Sequence, residues 1–194
     1  MTWEIENSTG TKITCGVDEA GRGPLAGDVF AAAVILPNGY IPHGLDDSKK
    51  LSAAKRAELY KIIKAEAVAY AVSTASVAEI DDLNILNASM LAMNRAVAAL
   101  AISPDFVLID GTIARGFSIP HLCVPKGDSR SPNIAAASIL AKVERDEYMK
   151  RLHEIYPQYD FARHKGYPTV LHYAKIREFG ISPVHRKTFL KGKK

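Results

Sequence analysis

The sequence predicts an α/β protein in which helices flank a mixed β-sheet. Short runs rich in β-branched residues alternate along the chain with longer runs whose apolar residues recur at helical spacing. Strands and helices that alternate in this way are typical of α/β folds. Hydrophobic residues make up 47% and charged residues 24% of the chain, which is the ordinary composition of a globular domain. We expect residues 1–194 to form a single domain, because a chain of this length can bury a core of its own.

The first two predicted strands flank a glycine-rich segment. Residues 11–17 alternate apolar and polar side chains, and residues 29–36 form an Ala-rich, β-branched run. We therefore expect the chain to open with a hairpin-like pair of strands.

A helix and a third strand come next. Ser52 can cap a helix whose apolar face includes Leu59, Ile62 and Ile63. Residues 68–74 then alternate as a strand.

Apolar residues between positions 83 and 100 predict one long helix packed against the sheet. This stripe comprises Leu86, Met90, Met93, Val97 and Leu100. Two short strands follow it: residues 106–109 stop at Asp110-Gly111, and residues 119–124 lead into Lys126-Gly127-Asp128. Acidic residues therefore come directly after predicted strands.

Two further helices are predicted in the last third of the chain. Ser131-Pro132 is a good helix start, because Ser can cap the helix and Pro suits its first position, and this helix can extend to about Ile155. Tyr167-Pro168 is a second start, and Gly180 can end that helix. These elements predict a C-terminal helical extension of the sheet, followed by a basic end from Leu190 onward.

Positive charge is concentrated in residues 160–194, the basic C-terminal helical part and tail. This stretch carries a formal charge of +7, whereas the whole chain carries +4 and the remainder is therefore near −3. Such asymmetry suits a segment that approaches phosphates while carboxylates elsewhere hold cations. A solvated basic surface would explain the same charge.

The sequence gives no sign of a membrane or secreted protein. No apolar run approaches the roughly 20 residues needed to cross a bilayer. Residues 1–7 lack the basic and apolar pattern of a signal peptide. We therefore expect a cytoplasmic protein with no membrane partner. Cys15 and Cys123 lie in apolar, strand-like runs, where buried free thiols are favoured over a disulfide.

Four acidic residues lie where an active site would form. Asp18-Glu19, Asp110 and Asp128 lie at or just past the ends of predicted strands, and open α/β sheets build their sites at the carboxyl ends of strands. Converging carboxylates repel one another, and with little Cys or His they favour Mg²⁺ or Mn²⁺ over Zn²⁺. Two such ions can activate a water molecule and stabilise the departing oxygen in phosphodiester hydrolysis.

Spacing alone leaves other interpretations of these acids open. Each Asp could instead be a turn residue at a strand end or a helix cap. Asp18 and Glu19 are adjacent, so a regular strand would point them to opposite faces of the sheet. We therefore expect a strand end or a bulge to reorient one of them.

A short glycine-rich segment, Gly21-Arg22-Gly23-Pro24, follows the first acids. Glycine lets backbone N–H groups approach a ligand closely, and the guanidinium group of Arg22 could hold a phosphate. The same four residues could form an ordinary Gly-Pro turn with a solvated arginine.

Several blocks of the chain resemble the ribonuclease HII family, in the family's own order. The first block is Asp18-Glu19-Ala20-Gly21-Arg22-Gly23-Pro24. The later blocks are residues 46–51, 108–111, 126–128, 135–146, 164–169 and 185–189. Chance is a negligible explanation for ordered agreement over about residues 15–189.

The resemblance implies an RNase H-like fold and a metal-dependent endoribonuclease. Such an enzyme hydrolyses the RNA strand of RNA–DNA hybrids and cuts at ribonucleotides embedded in duplex DNA, leaving 3′-hydroxyl and 5′-phosphate ends. Asp18, Glu19, Asp110 and Asp128 would occupy the family's four acidic positions and hold two ions, Mg²⁺ or Mn²⁺. We expect the enzyme to be a monomer.

The resemblance also suggests how the substrate is recognised. Gly21, Arg22 and Gly23 would meet the ribonucleotide, whose 2′-hydroxyl distinguishes RNA from DNA. Tyr167 would pack on the neighbouring deoxyribose. Arg22 stands where the sister type, ribonuclease HIII, carries Lys, and that type has an added N-terminal domain, so ribonuclease HII is the better match. Thr188 replaces a more common Ser and keeps the hydroxyl.

Several basic residues outside the glycine-rich segment are also candidates for phosphate contact. They are Lys49, Lys165, Arg186 and Lys187, together with His164 and His185. Lys49 could equally be solvated, and Arg186 and Lys187 could instead anchor the C-terminal part to the core. Ser138 is interpreted as a packing residue, and Asp146 as a structural one.

Two other function classes are compatible with parts of this pattern. A non-catalytic nucleic-acid-binding module would be credible if any of the four acidic positions held an amide or apolar residue, and none does. A phosphatase acting on small nucleotides would need no extended basic segment. An endoribonuclease accounts for both features.

Overall fold

The computed structural model describes residues 1–190, and its centre is one five-stranded sheet. The strands are β1 (Thr14–Ala20), β2 (Val29–Ile35), β3 (Ala69–Ala75), β4 (Phe106–Asp110) and β5 (His121–Val124). Their order is β3-β2-β1-β4-β5, with β2 antiparallel to β1 and β3, and β4 parallel to β1 and β5. The predicted mixed sheet and hairpin-like opening are confirmed. The predicted tail beyond Leu190 lies outside the described residues.

Helices flank this sheet and continue beyond it. They are α1 (Glu4–Ser8), α2 (Ala53–Glu66), α3 (Val77–Leu83), α4 (Ile85–Ala98), α5 (Pro132–Ile155), α6 (Phe161–His164), α7 (Val170–Phe179) and α8 (Lys187–Leu190). The predicted bounds of α5 are confirmed. The Ser52 side chain caps α2 as expected, by accepting from the N–H of Lys55. Within residues 1–190, no helix combines the length and apolar character needed to cross a bilayer.

Two predicted helices differ from those observed. The helix predicted across residues 83–100 is observed as α4, which starts after Asn84: this residue has a φ of 66°, and its side chain caps α4 by accepting from the N–H of Leu86 and Asn87. The preceding helix α3 was not predicted. The left-handed backbone at Asn84 ends α3. The last long helix begins later than predicted, since Thr169 caps α7 through the N–H of His172.

Helices pack on both faces of the sheet. Met93 of α4 is buried against β1 and β2 on one face, and Ile139 of α5 is buried on the other. Helix α5 lies directly on β1, because a Cβ added to Gly16 would fall 2.2 Å from the carbonyl carbon of Asn133. Glycine is therefore required at this crossing, and α5 side chains reach the strand that carries Asp18.

A small separate core holds the C-terminal part against the glycine-rich segment. It contains Ala26, Met149, Leu152, Tyr159 and Phe161. An isolated antiparallel bridge pairs Ala26 with His185. The chain after β1 and the C-terminal segment are thereby joined, although they are far apart in sequence.

The two cysteines are free thiols, as predicted. Cys15 is fully buried in β1, and burial raises the pKa of its thiol to about 12. Cys123 is half-buried in β5.

Candidate active site

The predicted acids converge at one edge of the sheet. Parallel strands β1 and β4 pair through Val17 and Ile109, so their carboxyl ends, which carry Asp18 and Asp110, reach the same edge. Strand β5 is the parallel neighbour of β4, and the 3₁₀ turn that follows it carries Asp128. The topology therefore supplies three acids to one place from three adjacent strands.

Asp18 and Glu19 lie inside β1, not after it as the sequence suggested. The strand continues to Ala20, and β1 pairs one-to-one with β2 from Gly16 to that residue, so no bulge reorients either acid. Both acids nevertheless line the same cavity, because the cavity surrounds the end of β1 and includes Ala20 and Gly21.

This cavity has a volume of about 230 Å³ and contains most of the predicted site residues. Its lining includes Asp18, Glu19, Gly21, Arg22, Gly23, Lys49, Asp110 and Tyr167. Asp128 adjoins it, since the Nζ of Lys49 lies 3.0 Å from Oδ2 of Asp128. Sequence and structure thus bring together the four acids, the glycine-rich segment and Tyr167.

Asp18 and Asp128 are buried, Glu19 and Asp110 are half-buried, and neighbouring acids repel one another. Burial raises the pKa of Asp18 well above its usual range, and the charges of Glu19 and Asp110 raise it further. Burial also raises the pKa of Asp110, with Asp128 as the next cause. Burial raises the pKa of Glu19, although the guanidinium group of Arg22 opposes this shift from 3.4 Å. A cation placed among these groups would relieve the repulsion.

The donor chemistry of the site suits a hard divalent cation. Carboxylate oxygens are the ligands that Mg²⁺ and Mn²⁺ prefer, and one oxygen of Asp110 is oriented by the N–H of Gly127 at 2.7 Å. Within residues 1–190, no three His, Cys, Asp or Glu side chains lie close enough together to hold a metal ion as they stand. The four-acid ligand set therefore stays a prediction.

The glycine-rich segment adopts a backbone that requires glycine. Gly21 has a φ of 102°, and a Cβ added there would lie 2.0 Å from Nε of Arg145. A Cβ on Gly23 would lie 3.7 Å from the ring of Tyr167. The segment therefore lies between a buried arginine and the tyrosine predicted to contact substrate.

Arg186 is a structural residue in this arrangement, and the prediction that it contacts substrate is wrong. Its side chain is 0% exposed, and its guanidinium group donates to the carbonyls of Gly21, Arg22, Pro24 and Gly27 at 2.7–3.0 Å. With its donors directed at these carbonyls, Arg186 fixes the glycine-rich segment from behind.

Other basic candidates also lie away from the cavity. His164 and His185 are buried, so they cannot reach a nucleic-acid backbone in this structure, contrary to expectation. Lys165 is half-buried, and its Nζ donates to the carbonyl of Ala162 at 2.7 Å. Lys187 is exposed.

Sequence reasoning missed two serines that support Asp18. Ser138 was interpreted as packing, yet it lines the cavity and its hydrogen bond lowers the pKa of Asp18 against the effect of burial. The hydroxyl of Ser138 lies 2.7 Å from that of Ser48. The signal for Ser48 was present in the block at residues 46–51, whereas the position of Ser138 depends on how α5 crosses β1.

Two more residues of α5 reach the cavity. Lys142 lines it and forms an ion pair with Asp146 at 2.6 Å, which agrees with a structural role for Asp146. Arg145 is 1% exposed and donates to the carbonyls of Ala26, Asp28 and Lys165.

A family model described as Ribonuclease HII matches residues 15–192. The chain belongs to the ribonuclease HII family. The predicted resemblance is thereby confirmed, and membership makes the protein a metal-dependent hydrolase of the ribonuclease H type that acts as an endoribonuclease on RNA–DNA hybrids.

Solved structures of this family and its relatives share the fold. Ribonuclease H2 from Pyrococcus horikoshii OT3 matches with a TM-score of 0.75 and 24% identity, covering 91% of this chain and 93% of that one. A PCNA:RNase HII complex from Archaeoglobus fulgidus contains a chain that matches with a TM-score of 0.70 and 23% identity. The match covers 94% of this chain and 96% of that one. Bst-RNase HIII in complex with Mn²⁺ matches with a TM-score of 0.66 and 22% identity, covering 88% of this chain and 63% of that one. These matches confirm the RNase H-like fold.

Proposed function

We propose that this ribonuclease HII cuts at ribonucleotides embedded in duplex DNA as well as within longer RNA–DNA hybrids, leaving 3′-hydroxyl and 5′-phosphate ends. The observation that carries the proposal is that Asp18, Glu19 and Asp110 line one cavity together with the glycine-rich segment and Tyr167, with Asp128 adjoining it. An acidic site beside groups able to recognise a ribose can couple hydrolysis to the identity of the nucleotide.

Asp18, Glu19, Asp110 and Asp128 are the proposed ligands of two divalent ions, Mg²⁺ or Mn²⁺. Support comes from the burial of Asp18 and Asp128, the mutual repulsion of the acids and their all-oxygen chemistry. The Mn²⁺ in the solved Bst-RNase HIII structure is consistent with this choice of ion. When bound, two such ions activate the attacking water and stabilise the departing oxygen. Ser138 would help to keep Asp18 oriented and charged.

The glycine-rich segment is the proposed contact to the ribose. In a trans peptide unit, the C=O of one residue and the N–H of the next point in opposite directions. The carbonyls of Gly21 and Arg22 accept from Arg186, so the N–H groups of Arg22 and Gly23 point away from that buried guanidinium. These N–H groups are suitable donors to a 2′-hydroxyl or phosphate oxygen.

Arg22 and Lys49 are the proposed side-chain contacts to phosphate, since both line the cavity and are well exposed. Tyr167, 41% exposed, is the proposed contact to the neighbouring deoxyribose. A phosphate contact by Lys165 would require its Nζ to leave the carbonyl of Ala162. We further propose that residues 1–194 act as one catalytic domain and as a monomer in the cytoplasm.

Cleavage-site mapping on matched duplexes tests this function. Substrates would share one sequence and carry no ribonucleotide, one, four, or an entire RNA strand, and end groups would be identified after cleavage. We expect cuts only at ribonucleotides, with 3′-hydroxyl and 5′-phosphate ends. Cleavage of the all-DNA duplex at a similar rate, or hydrolysis of free nucleotides instead of duplexes, would refute the proposal.

A further inference from the structure

Three histidines are buried together in the C-terminal part, outside the acidic cavity. His164, His172 and His185 are 8%, 0% and 1% exposed, respectively. The rings of His164 and His172 stack with their centroids 4.3 Å apart, and Nε2 of His172 lies 3.1 Å from Nε2 of His185. The proposed chemistry gives these residues no direct part, so their hydrogen bonds require a separate explanation.

The proton positions of His185 and His172 follow from their partners. The N–H of Ser182 can only donate, and it lies 2.9 Å from Nδ1 of His185, so that nitrogen accepts. A neutral His185 therefore carries its proton on Nε2 and donates to Nε2 of His172. The proton of His172 must then lie on Nδ1, which donates to the carbonyl of Tyr167 at 3.0 Å.

Burial keeps this chain of hydrogen bonds neutral. It is the main cause that lowers the pKa of both His172 and His185 to about 4. If His172 became protonated, its Nε2 would turn from an acceptor into a donor and would face the N–H of His185. The direction of the chain, from Ser182 through both rings to Tyr167, is therefore fixed at neutral pH.

Tyr167 lies in a connection that has no regular structure of its own. Lys165 and Gly166 both have positive φ, 52° and 80°, before Tyr167. The N–H of Tyr167 donates to the carbonyl of His164 at 2.9 Å, and its carbonyl accepts from the ring of His172. Histidines thus bond both polar groups of the Tyr167 backbone, and its carbonyl also accepts from the N–H of Thr169 at 2.8 Å, while the tyrosine side chain lines the cavity.

We propose that His172 and His185 are positioning residues for substrate selection, because their directed hydrogen bonds hold Tyr167 against the glycine-rich segment. This inference rests on the proposed function of Tyr167. It adds that selectivity depends on two residues that contact neither nucleic acid nor metal.

Matched substitutions at His172 separate its two hydrogen bonds. Asn places an amide where Nδ1 was, so His172→Asn keeps a donor to Tyr167 but loses the acceptor for His185. Gln places its amide where Nε2 was, so His172→Gln keeps the acceptor and loses the donor to Tyr167. Thermal melting measures what each change costs the fold.

The readout is the ratio of kcat/KM on a duplex with one ribonucleotide to kcat/KM on a long hybrid. We expect His172→Gln to lower this ratio by about tenfold, the equivalent of one hydrogen bond, while His172→Asn stays close to wild type. In a Tyr167→Ala background, His172→Gln should cause no further change. An equal fall of the ratio in His172→Asn and His172→Gln would overturn the inference. So would a fall of the ratio on His172→Gln in the Tyr167→Ala background.

The ring nitrogens give a test that needs no activity. In ¹⁵N NMR spectra of the wild-type protein, we expect the proton on Nδ1 of His172 and on Nε2 of His185. The opposite tautomers would overturn the inference and leave the proposed function intact. If Tyr167→Ala itself leaves the ratio unchanged, the proposed role of Tyr167 fails, and the inference fails with it.

Discussion

The Nζ of Lys49 lies 3.0 Å from Oδ2 of Asp128, so a side-chain cation already neutralises part of the acidic site. Burial disfavours the charged ammonium, yet the hydrogen bond and charge of Asp128 raise the pKa of Lys49 overall. Lys49 is therefore positioned to compensate the acids when no metal ion is bound and to compete with one that binds.

Replacing Lys49 should increase the stabilisation that a metal ion provides. In Lys49→Gln the carboxylates lose their counter-charge, so Mg²⁺ should raise the melting midpoint by more than it does in the wild type. The control is Lys50→Gln, because Lys50 pairs with Asp46 at 3.3 Å and does not line the cavity. Melting curves with and without Mg²⁺ that show the same increase in all three proteins would contradict this role.

Arg186 and Lys187 are adjacent but should respond in opposite ways to replacement. Arg186→Gln removes charged donors from four buried carbonyl contacts, which should cost roughly 3 kcal/mol or more of the free energy of unfolding. The affinity of Arg186→Gln for nucleic acid should depend on salt as that of the wild type does. Lys187→Gln should melt normally, while the slope of log affinity against log salt falls by up to about 0.9, the value per phosphate of B-form duplex. A normal melting curve for Arg186→Gln would contradict its structural role.

The buried histidines should make the fold sensitive to acid. The pKa of about 4 of His172 and His185 lies below the unfolded value of 6.5, so the unfolded chain binds protons first as pH falls. This contribution is complete above pH 6.5 and is lost between pH 6.5 and 4. The difference in free energy of unfolding between wild type and a His172→Gln/His185→Gln double variant should thus shrink, by up to roughly 2 kcal/mol per histidine at pH 5. Urea unfolding at pH 7.5 and 5 measures it, and a constant difference would count against the prediction.

Tyr167 should affect substrate choice more than catalysis. Tyr167→Ala is expected to impair cleavage at a single ribonucleotide more than cleavage within a long hybrid, since only the former requires recognition of the RNA–DNA junction. Tyr167→Phe keeps the ring and serves as the control. Equal proportional losses on both substrates would exclude a junction-reading role.

The sequence predicted those parts of the fold that depend on local patterns. Ser52 and the Ser131-Pro132 pair defined the starts of α2 and α5, because capping is set by neighbouring residues. The short helix α3 was missed, because the predicted apolar stripe begins only at Leu86. The end of β1 was misplaced because Asp18 and Glu19 are atypical of a strand interior, yet the pairing of β1 with β2 continues through both.

The residues proposed to act in catalysis could be selected from the sequence, whereas the residues that support them from behind could not. The proximity of the four acids to one another and to Tyr167 was predicted from position and family resemblance, and their roles stay predictions. Arg186 was assigned to substrate because it lies in the strongly basic stretch of residues 160–194. Its burial follows from the bridge between Ala26 and His185, a contact across about 160 positions that no local pattern reveals.

The measurement that tests the central claim most directly is single-turnover cleavage by Asp110→Asn of a duplex carrying four ribonucleotides, in Mg²⁺. An amide is a weaker, neutral ligand and also relieves repulsion with Asp128, so this variant should stay folded, melt no lower than wild type and lose activity on the order of 100-fold. Asp46→Asn, at an exposed acid outside the cavity, should cleave normally. Near-normal, Mg²⁺-dependent turnover by Asp110→Asn would contradict the assignment of catalysis to the converging carboxylates.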